Sequence, residues 1–347
     1  MNQTEIRKKD HVRISLSENV SASHNFWDDI KLIHTALPEI NESEIDLSLG
    51  LFGKRLNVPL VIAGMTGGFS GAKKINENLA FAAEQLHIGM GVGSQRSALE
   101  NTRLKQTYSV IKDYDIPLRI ANIGASQLVE WGHQKTLMNV EALVDMINAD
   151  VVAVCLNFLQ EIIQPEGETN AKGCYEAIKR LAEDSSTPVI VKESGAGISF
   201  DVAKLLSKTK IVGIDIGGAG GTSFAAIEYY RGKSSGNKLY ERSGKTFWDW
   251  GIPTPISLVE TGEATKWRLP ILATGGIRNG LDVAKALALG ANAAGIAHVL
   301  LKPANDGKDA TINELRIIIK ELRTAMFLVG VDKIEKMKNV GVELLWG

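Results

Sequence analysis

A chain of 347 residues with 44% apolar and 23% charged residues can bury a large core and is typical of a globular protein. The formal net charge of −1 gives no basis for binding nucleic acid or an anionic membrane surface. Only two cysteines occur, Cys155 and Cys174, which excludes a disulfide framework or a zinc ribbon. With no signal-like leader and no membrane-length apolar run, we expect a cytoplasmic protein.

Eight short apolar runs recur along the chain, and each is followed by a helical pattern. The runs lie at residues 58–63, 87–92, 118–122, 151–156, 188–192, 211–216, 270–274 and 293–297. Parallel strands that are buried on both faces have such nearly continuous apolar sequences. The repeat predicts a single α/β domain over residues 1–347 that forms a (β/α)8 barrel, also called a TIM barrel. An open doubly wound sheet is the alternative.

Three segments fall outside this repeat. Residues 1–50 form an N-terminal extension, which we expect to cover the bottom of the barrel or to fold over its top. Residues 223–268 form a long insertion between strands six and seven, and a connection of this length indicates an active-site lid. Residues 312–330 have the apolar spacing of an amphipathic terminal helix.

Glycines mark the ends of the last two predicted strands. In a (β/α)8 barrel, phosphate groups bind to the loops that follow strands seven and eight. Gly275 and Gly276 follow strand seven and precede a helix, so backbone amides and the helix terminus can face an anion. Strand eight ends in Gly295-Ile296-Ala297. We therefore predict a phosphate-binding cup here, for which a simple tight turn is the alternative.

A second glycine run and a lysine extend this site. Residues 215–222 contain four glycines in a span of five residues at the end of strand six, where a planar ring or a phosphate could approach. Lys192 closes strand five. Inside the barrel mouth its charge would stabilise an anionic reduced flavin ring, whereas at the rim it would be solvated. Together with the cup, these residues indicate FMN.

The other strand ends add polar groups at the same level. They are Met65-Thr66-Gly67 after strand one, Ser94 and Arg96 after strand two, Asn122 in strand three, and Gln160 and Glu161 after strand four. Strand four itself carries Cys155 and Asn157. Because side chains alternate along a strand, we expect both residues to face the barrel interior.

Two further candidates depend on how the loops fold. Glu161 is a candidate ligand for Mg2+, which takes one or two carboxylates together with phosphate oxygens, unless its side chain is merely solvated. Arg7 and Lys8 belong to a basic cluster near the amino terminus. The cluster is either a solvated tail or, if it folds over the site, a clamp for a diphosphate.

Taken together and in order, these motifs resemble those of the type 2 isopentenyl diphosphate isomerases. The matching segments are Arg7-Lys8, residues 65–68, residues 93–96, Asn122, Gln160-Glu161, residues 165–168, residues 192–194, residues 217–222, residues 249–254 and residues 275–278. The resemblance covers nearly the whole chain, and several motifs are specific to that family rather than general among flavin-binding barrels.

The resemblance implies an enzyme of isoprenoid biosynthesis that interconverts isopentenyl and dimethylallyl diphosphate, with FMN and Mg2+ as cofactors and NADPH as the reductant of the flavin. In this family the reduced flavin is thought to supply the acid–base function without net redox change. The implied flavin contacts are Met65, Thr66, Gly67, Ser94, Asn122, Lys192, Thr222, Gly275, Gly276, Ala297 and His298. The implied substrate contacts are Arg7, Lys8, Ser94, Arg96, Asn157 and Gln160. Gln160, near the isoprenyl double bond, and Glu161, as the metal ligand, are the implied catalytic residues, in a homo-oligomer such as a tetramer or octamer.

One departure from the family pattern concerns strand four. The family usually has His-Leu-Asn where this chain has Cys155-Leu156-Asn157. The histidine is expected to help grip the diphosphate, and a thiol cannot supply the same charge-assisted hydrogen bond. The change lowers affinity, is compensated by the amino-terminal cluster, or marks a shifted substrate.

Two other functions remain as alternatives. An FMN-dependent 2-hydroxy-acid oxidase or dehydrogenase uses the same barrel but needs a histidine base beside an arginine. None of the six histidines lies in an obvious base motif after strand six or seven. A non-catalytic barrel that binds flavin or prenyl diphosphate as a sensor is the other alternative, and Cys155 is the only feature that favours it.

Overall fold

The core of the fold is a closed barrel of eight parallel strands. The computed structural model describes residues 3–345. Its strands are β1 (Ile30–Leu32), β2 (Leu49–Leu51), β3 (Lys54–Leu56), β4 (Leu60–Ile62), β5 (Gly89–Gly91), β6 (Arg119–Gly124), β7 (Val151–Cys155), β8 (Val189–Lys192), β9 (Gly213–Asp215), β10 (Ile271–Thr274), β11 (Ala293–Ile296) and β12 (Val342–Leu344). Strands β4 to β11 follow one another around the barrel, and β11 pairs with β4 to close it. The predicted (β/α)8 fold and its eight strand positions are thus confirmed.

Helices fill the connections between the strands and surround the barrel. They are α1 (Gln3–Ser17), α2 (Ala72–Leu86), α3 (Arg96–Glu100), α4 (Gln106–Ser109), α5 (Ala125–Trp131), α6 (His133–Ile147), α7 (Phe158–Ile163), α8 (Cys174–Asp184), α9 (Phe200–Leu206), α10 (Phe224–Ser235), α11 (Lys238–Thr246), α12 (Thr254–Thr265), α13 (Gly280–Ala288), α14 (His298–Asp306) and α15 (Lys308–Leu328). The long α15 contains most of the predicted terminal helix. No helix within residues 3–345 combines the length and the apolar composition needed to cross a membrane.

The chain before β4 covers both ends of the barrel. Helix α1 lies over the mouth, where the side chain of Lys8 donates a hydrogen bond to the carbonyl of Ser94. At the opposite end, the hairpin of β2 and β3 inserts Leu51 and Leu56 into the interior of the barrel, where they pack on Val61 and other strand residues. Helix α1 belongs to the extension predicted over residues 1–50, whereas most of the hairpin follows residue 50.

The insertion predicted over residues 223–268 is shorter than expected. Its first part is a pair of helices, α10 and α11, which pack closely because Gly244 leaves room for the backbone of Tyr229. Helix α12 instead packs on α9 and β10 in the ordinary position of a barrel helix. Residues 254–265 therefore belong to the regular repeat, and the segment that extends over the mouth ends before them.

Strand register brings the polar strand ends to one level. Cys155 lies opposite Lys192 in the ladder, and Lys192 lies opposite Asp215. In the neighbouring strands β10 and β11, Thr274 lies opposite Gly295. Below this level the interior is filled by apolar side chains, so the chemistry is confined to the carboxyl ends of the strands.

Candidate active site

A cavity of about 680 Å3 opens at the carboxyl ends of the barrel strands. Its walls include seven of the residues assigned to the flavin by resemblance: Met65, Lys192, Thr222, Gly275, Gly276, Ala297 and His298. Helix α1 contributes His11, Val12 and Ser15 from above. The volume lies within the range of pockets that bind cofactor-sized ligands.

The loop after β10 is held in a conformation suited to an anion. Gly275 and Gly276 have φ values of +120° and +71°, and side chains other than hydrogen are disfavoured there. The indole of Trp27 donates to the carbonyl of Gly275 at 2.9 Å, and the amide of Asn25 donates to the carbonyl of Gly276 at 2.7 Å. Within residues 3–345 no acceptor takes the amide hydrogen of Gly276. With the start of α14 at His298 beside it, this loop can hold a phosphate.

The glycines after β9 are required for packing as well as for the predicted close approach of a ligand. A Cβ atom on Gly275 would overlap the carbonyl oxygen of Gly218, and one on Gly221 would overlap the amide of Gly276. The two loops therefore pack backbone against backbone. This packing makes the glycines necessary to shape the cup even before a ligand enters.

Lys192 points into the cavity from β8 and is almost fully buried. Its ammonium donates to the carbonyl of Glu193 at 2.8 Å and to the hydroxyl of Ser194 at 3.0 Å, with the sulfur of Cys155 at 3.8 Å. Burial acts to lower the pKa of Lys192, but the neighbouring Cys155, Asp215 and Glu193 outweigh it and raise that pKa above its ordinary value. A permanent positive charge therefore lies in the wall of the cavity.

Two buried polar atoms among the implied flavin contacts, one of them beside Lys192, test whether a flavin fits. Asn122 lies beside Lys192 around a small internal cavity. Within the described chain its Oδ1 atom has no hydrogen-bond partner, and neither has Oγ1 of Thr66. An unsatisfied buried polar atom costs about 1–3 kcal/mol. A planar ring with polar edges would satisfy such atoms, so these residues fit FMN.

A cluster of cationic side chains, Arg7, Lys8 and Arg96, lies around helix α1 outside the wall of the main cavity. Arg7 is 9% exposed and, within residues 3–345, its side chain forms neither a hydrogen bond nor an ion pair. Lys8 is one turn from His11, which lines the main cavity. Burial, with the positive charges of Arg7 and Arg96, lowers the pKa of Lys8 to about 7. Like charges held together in this way favour binding of a multivalent anion.

Glu161 lies at the edge of this group, in helix α7. Its carboxylate accepts hydrogen bonds from Asn157 at 2.8 Å, from Gln164 at 2.6 Å and from the backbone amide of Glu168 at 2.9 Å. Within residues 3–345 no three His, Cys, Asp or Glu side chains are arranged so that they could together hold a metal ion. Glu161 could therefore serve as a single protein ligand, with diphosphate oxygens and water completing the coordination, as Mg2+ prefers.

Asn157 does not face the barrel interior as the sequence predicted. Strand β7 ends at Cys155, and Asn157 caps α7, so the alternation of a strand no longer applies to it. Asn157 and Gln160 instead line a small second pocket. That pocket shares Ser194 and Thr222 with the main cavity, so the two spaces are neighbours.

The remaining implied residues are Thr66, Gly67, Ser94 and Arg96. None of these four lines the main cavity: Ser94 accepts a hydrogen bond from Lys8, the charge of Arg96 acts on Lys8, and Gly67 packs on Tyr108. Arg96 forms an ion pair with Glu168, which also accepts from Gln127. The main cavity therefore contains seven of the eleven flavin candidates, whereas the cationic candidates for the diphosphate lie around the amino-terminal helix and Asn157 and Gln160 line the second pocket.

Sequence reasoning missed one network completely. His11 pairs with Glu228 at 2.9 Å, and Arg231 bridges Glu228 at 2.7 Å and Glu166 at 2.8 Å. Glu228 is fully buried. Burial lowers the pKa of His11 despite the opposing effect of Glu228, so the ring is neutral at neutral pH. The partners lie on α1, α10 and the loop after α7, and no local pattern connects them.

Comparisons with known proteins show the family of this chain. The profile of the family described as FMN-dependent dehydrogenase matches residues 135–343. The isopentenyl-diphosphate delta-isomerase of Thermoplasma volcanium is 46% identical, covering 97% of this chain and 96% of its own length. The enzymes of the same name from Picrophilus torridus and Methanosarcina mazei are 45% and 44% identical, covering 96% and 98% of this chain and 95% and 92% of their own lengths.

Solved structures share the fold at lower identity. A crystal structure of mandelate oxidase with 3,3-difluoro-2-hydroxy-3-phenylpropionic acid superposes with a TM-score of 0.65 at 17% identity, covering 98% of this chain and 97% of that one. Mandelate oxidase with (S)-2-phenylpropionate gives a TM-score of 0.65 at 16% identity, with the same coverage of both chains. At this identity the likeness shows the barrel alone. On its sequence relatives, the chain belongs to the isopentenyl-diphosphate delta-isomerase family and, through residues 135–343, to the FMN-dependent dehydrogenases.

Proposed function

We propose that this chain isomerises isopentenyl diphosphate to dimethylallyl diphosphate in isoprenoid biosynthesis, with FMN and Mg2+ as cofactors. The observation that carries the proposal is that two different binding environments lie side by side at the mouth of the barrel. A cavity with a phosphate cup and a buried Lys192 adjoins a cluster of cations that contains Arg7 and Lys8. A flavin and a diphosphate need these two environments side by side.

The reaction requires a proton to be added at one carbon and another to be removed from its neighbour. Reduced FMN, when bound, would supply the acid–base group and negative charge that stabilises a nearby carbocation. Lys192 would stabilise the negative charge of the ring, and Gln160 would orient the isoprenyl group from the neighbouring second pocket. Helix α1 and the α10–α11 pair would exclude water, which strengthens every electrostatic interaction in the site.

The remaining parts of the proposal concern partners and environment. Arg7, Lys8 and Arg96 would bind the diphosphate, and Glu161 would hold Mg2+ against it. NADPH would reduce the flavin beforehand and take no further part. We also propose a cytoplasmic homo-oligomer, since relatives of this kind assemble as tetramers or octamers.

Oxidation of a 2-hydroxy acid is the less favoured function. That reaction needs a histidine free to act as a base beside an arginine that clamps a carboxylate. The cavity histidines His11 and His24 are paired with Glu228 and Asp29, and the third, His298, contacts the carbonyl of Ser15 at 3.1 Å. The cavity arginine, Arg278, is held by Asp28 and Asp282. These pairings favour the isomerase.

Isotope exchange tests the proposed function directly. FMN-loaded protein reduced with NADPH is incubated in D2O with Mg2+ and isopentenyl diphosphate, and the dimethylallyl product is examined by mass spectrometry. We expect deuterium in the product. Bound flavin without any product would favour a non-catalytic sensor, and flavin reduction by mandelate or lactate would favour the oxidase.

Lys8 provides a prediction on pH. Its pKa of about 7 leaves the amine mostly neutral at pH 8, and a bound diphosphate would raise that pKa again. Binding at pH 8 should therefore take up about one proton per site. Calorimetry in two buffers of different ionisation enthalpy measures this uptake. The Lys8→Met variant should show none, and equal heats in both buffers for the unchanged protein would contradict the prediction.

A further inference from the structure

Tyr108 is a fully buried tyrosine at the base of the cationic cluster, and no motif in the sequence singled it out. It lies in α4, far along the chain from the amino-terminal helix. Its hydroxyl donates to the carbonyl of Ser94 at 2.7 Å and lies 2.9 Å from the hydroxyl of Ser97. The ammonium of Lys8 donates to the same hydroxyl at 3.0 Å.

The partners of Lys8 are unusual for a lysine in such a crowded site. Its ammonium is held by two neutral acceptors, the hydroxyl of Tyr108 and the carbonyl of Ser94. By contrast, Arg231 is paired with carboxylates. Neutral acceptors fix the direction of an ammonium without cancelling its charge, and they leave a third hydrogen for an anion.

The ring of Tyr108 also supports the loop after β4. A Cβ atom on Gly67 would overlap the ring, and one on Gly68 would come within 2.8 Å of the hydroxyl. The neighbouring Thr107 accepts a hydrogen bond from the amide of Gly68 at 2.8 Å. The ring thus packs on the loop assigned to the flavin, and its centroid lies 5.6 Å from the ammonium of Lys8, whereas only the hydroxyl forms a hydrogen bond with Lys8.

We propose that Tyr108 is a positioning residue for the diphosphate site, and that its hydroxyl aims the ammonium of Lys8 at the substrate. The inference rests on the proposed function, because it takes the cluster of Arg7, Lys8 and Arg96 to be the diphosphate site. Tyr108 itself does not touch the substrate. Its effect on binding is exerted through Lys8.

A double-mutant cycle tests this role. Binding of isopentenyl diphosphate to the FMN-loaded protein with Mg2+ is measured by calorimetry for the unchanged protein, Tyr108→Phe, Lys8→Met and the double variant. We expect Tyr108→Phe to weaken binding by about 10-fold and Lys8→Met by about 100-fold, as for charge-assisted hydrogen bonds. In the Lys8→Met background, Tyr108→Phe should have less than about a twofold effect. The value of KM should rise in Tyr108→Phe while kcat changes little.

The chain offers a matched control. The hydroxyl of Tyr114 also accepts a hydrogen bond from a lysine, Lys308, at 3.0 Å, but this pair lies among the outer helices near Glu77. Tyr114→Phe should leave diphosphate binding unchanged. A similar loss in Tyr114→Phe would show that the assay reports a general effect on the fold and would overturn the inference.

Other outcomes distinguish failure of this inference from failure of the proposed function. The inference is overturned if Tyr108→Phe binds normally, or if it weakens binding equally with and without Lys8. Loss of flavin loading in Tyr108→Phe would also overturn it, because the hydroxyl would then act through the loop of Gly67. If Lys8→Met binds the diphosphate normally, the proposed substrate site is itself wrong.

Discussion

Replacement of Glu161 by glutamine should lower kcat by about 1000-fold, while FMN remains bound. This loss corresponds to about 4 kcal/mol of barrier height, within the range for removal of a metal that neutralises a reacting anion. Glutamine keeps the size of the side chain but replaces a charged oxygen by an amide nitrogen. Its remaining oxygen can still accept from Gln164 and Glu168, but its amide nitrogen would then face the amide donor of Asn157, which bonds to the carboxylate in the unchanged protein. The variant therefore loses the metal ligand and the hydrogen bond from Asn157.

The measurement is the isomerisation rate as a function of Mg2+ concentration, with the flavin absorbance recorded in the same samples. Glu130→Gln, an exposed glutamate of α5, serves as the matched control and should behave as the unchanged protein. Full activity of Glu161→Gln at ordinary Mg2+ concentrations would remove Glu161 from the metal site. The proposed substrate site would then need another explanation for its divalent cation.

The barrel was predictable because its signals are local. A parallel strand buried on both faces needs a run of apolar residues, and the sequence contains eight such runs at regular spacing. The run at residues 151–156, for example, corresponds to β7 at Val151–Cys155. The prediction lost accuracy just beyond this point. Asn157 was taken as part of the strand, whereas the chain turns there into α7.

The strand-end residues were also predictable, since the fold determines where they point. Lys192 closes a strand, and Gly275 and Gly276 directly follow one. In this fold, residues at the carboxyl ends of the strands lie at the mouth of the barrel, so their place in the sequence predicts their place in the site. Helix α12 shows the limit of this reasoning. Its residues belong to the regular repeat, but the length of the connection before it concealed the boundary between insertion and barrel helix.

Contacts between distant segments could not be predicted in this way. Tyr108 and Lys8 are 100 residues apart, and His11 and Glu228 are 217 residues apart. Each residue lies in a helix whose local pattern requires only that the chain form a helix there. The partner depends on how α1 lies across the mouth, which is a property of the complete fold. A buried glutamate such as Glu228 is costly without a partner, but the sequence does not reveal its burial.

Replacement of Lys192 by alanine should weaken flavin binding, more strongly for the reduced form than for the oxidised form. The ammonium is buried in the cavity wall and carries the positive charge that an anionic reduced ring requires. If the reduced form loses about 100-fold more affinity than the oxidised form, the two-electron potential falls by about 60 mV. Removal of a cation disfavours gain of negative charge, so the potential must decrease. Isomerase activity should fall with the fraction of bound reduced flavin.

The test combines flavin retention during gel filtration with a potentiometric titration of the retained flavin. Lys54→Ala is a suitable control, because Lys54 pairs with Asp150 at 2.6 Å at the opposite end of the barrel. That variant should retain flavin and keep its potential. Should Lys192→Ala also retain flavin at an unchanged potential, Lys192 would lie outside the cofactor contacts. Its charge would then serve only its protein neighbours, such as Cys155, Glu193 and Ser194, and the strand-end lysine would be structural.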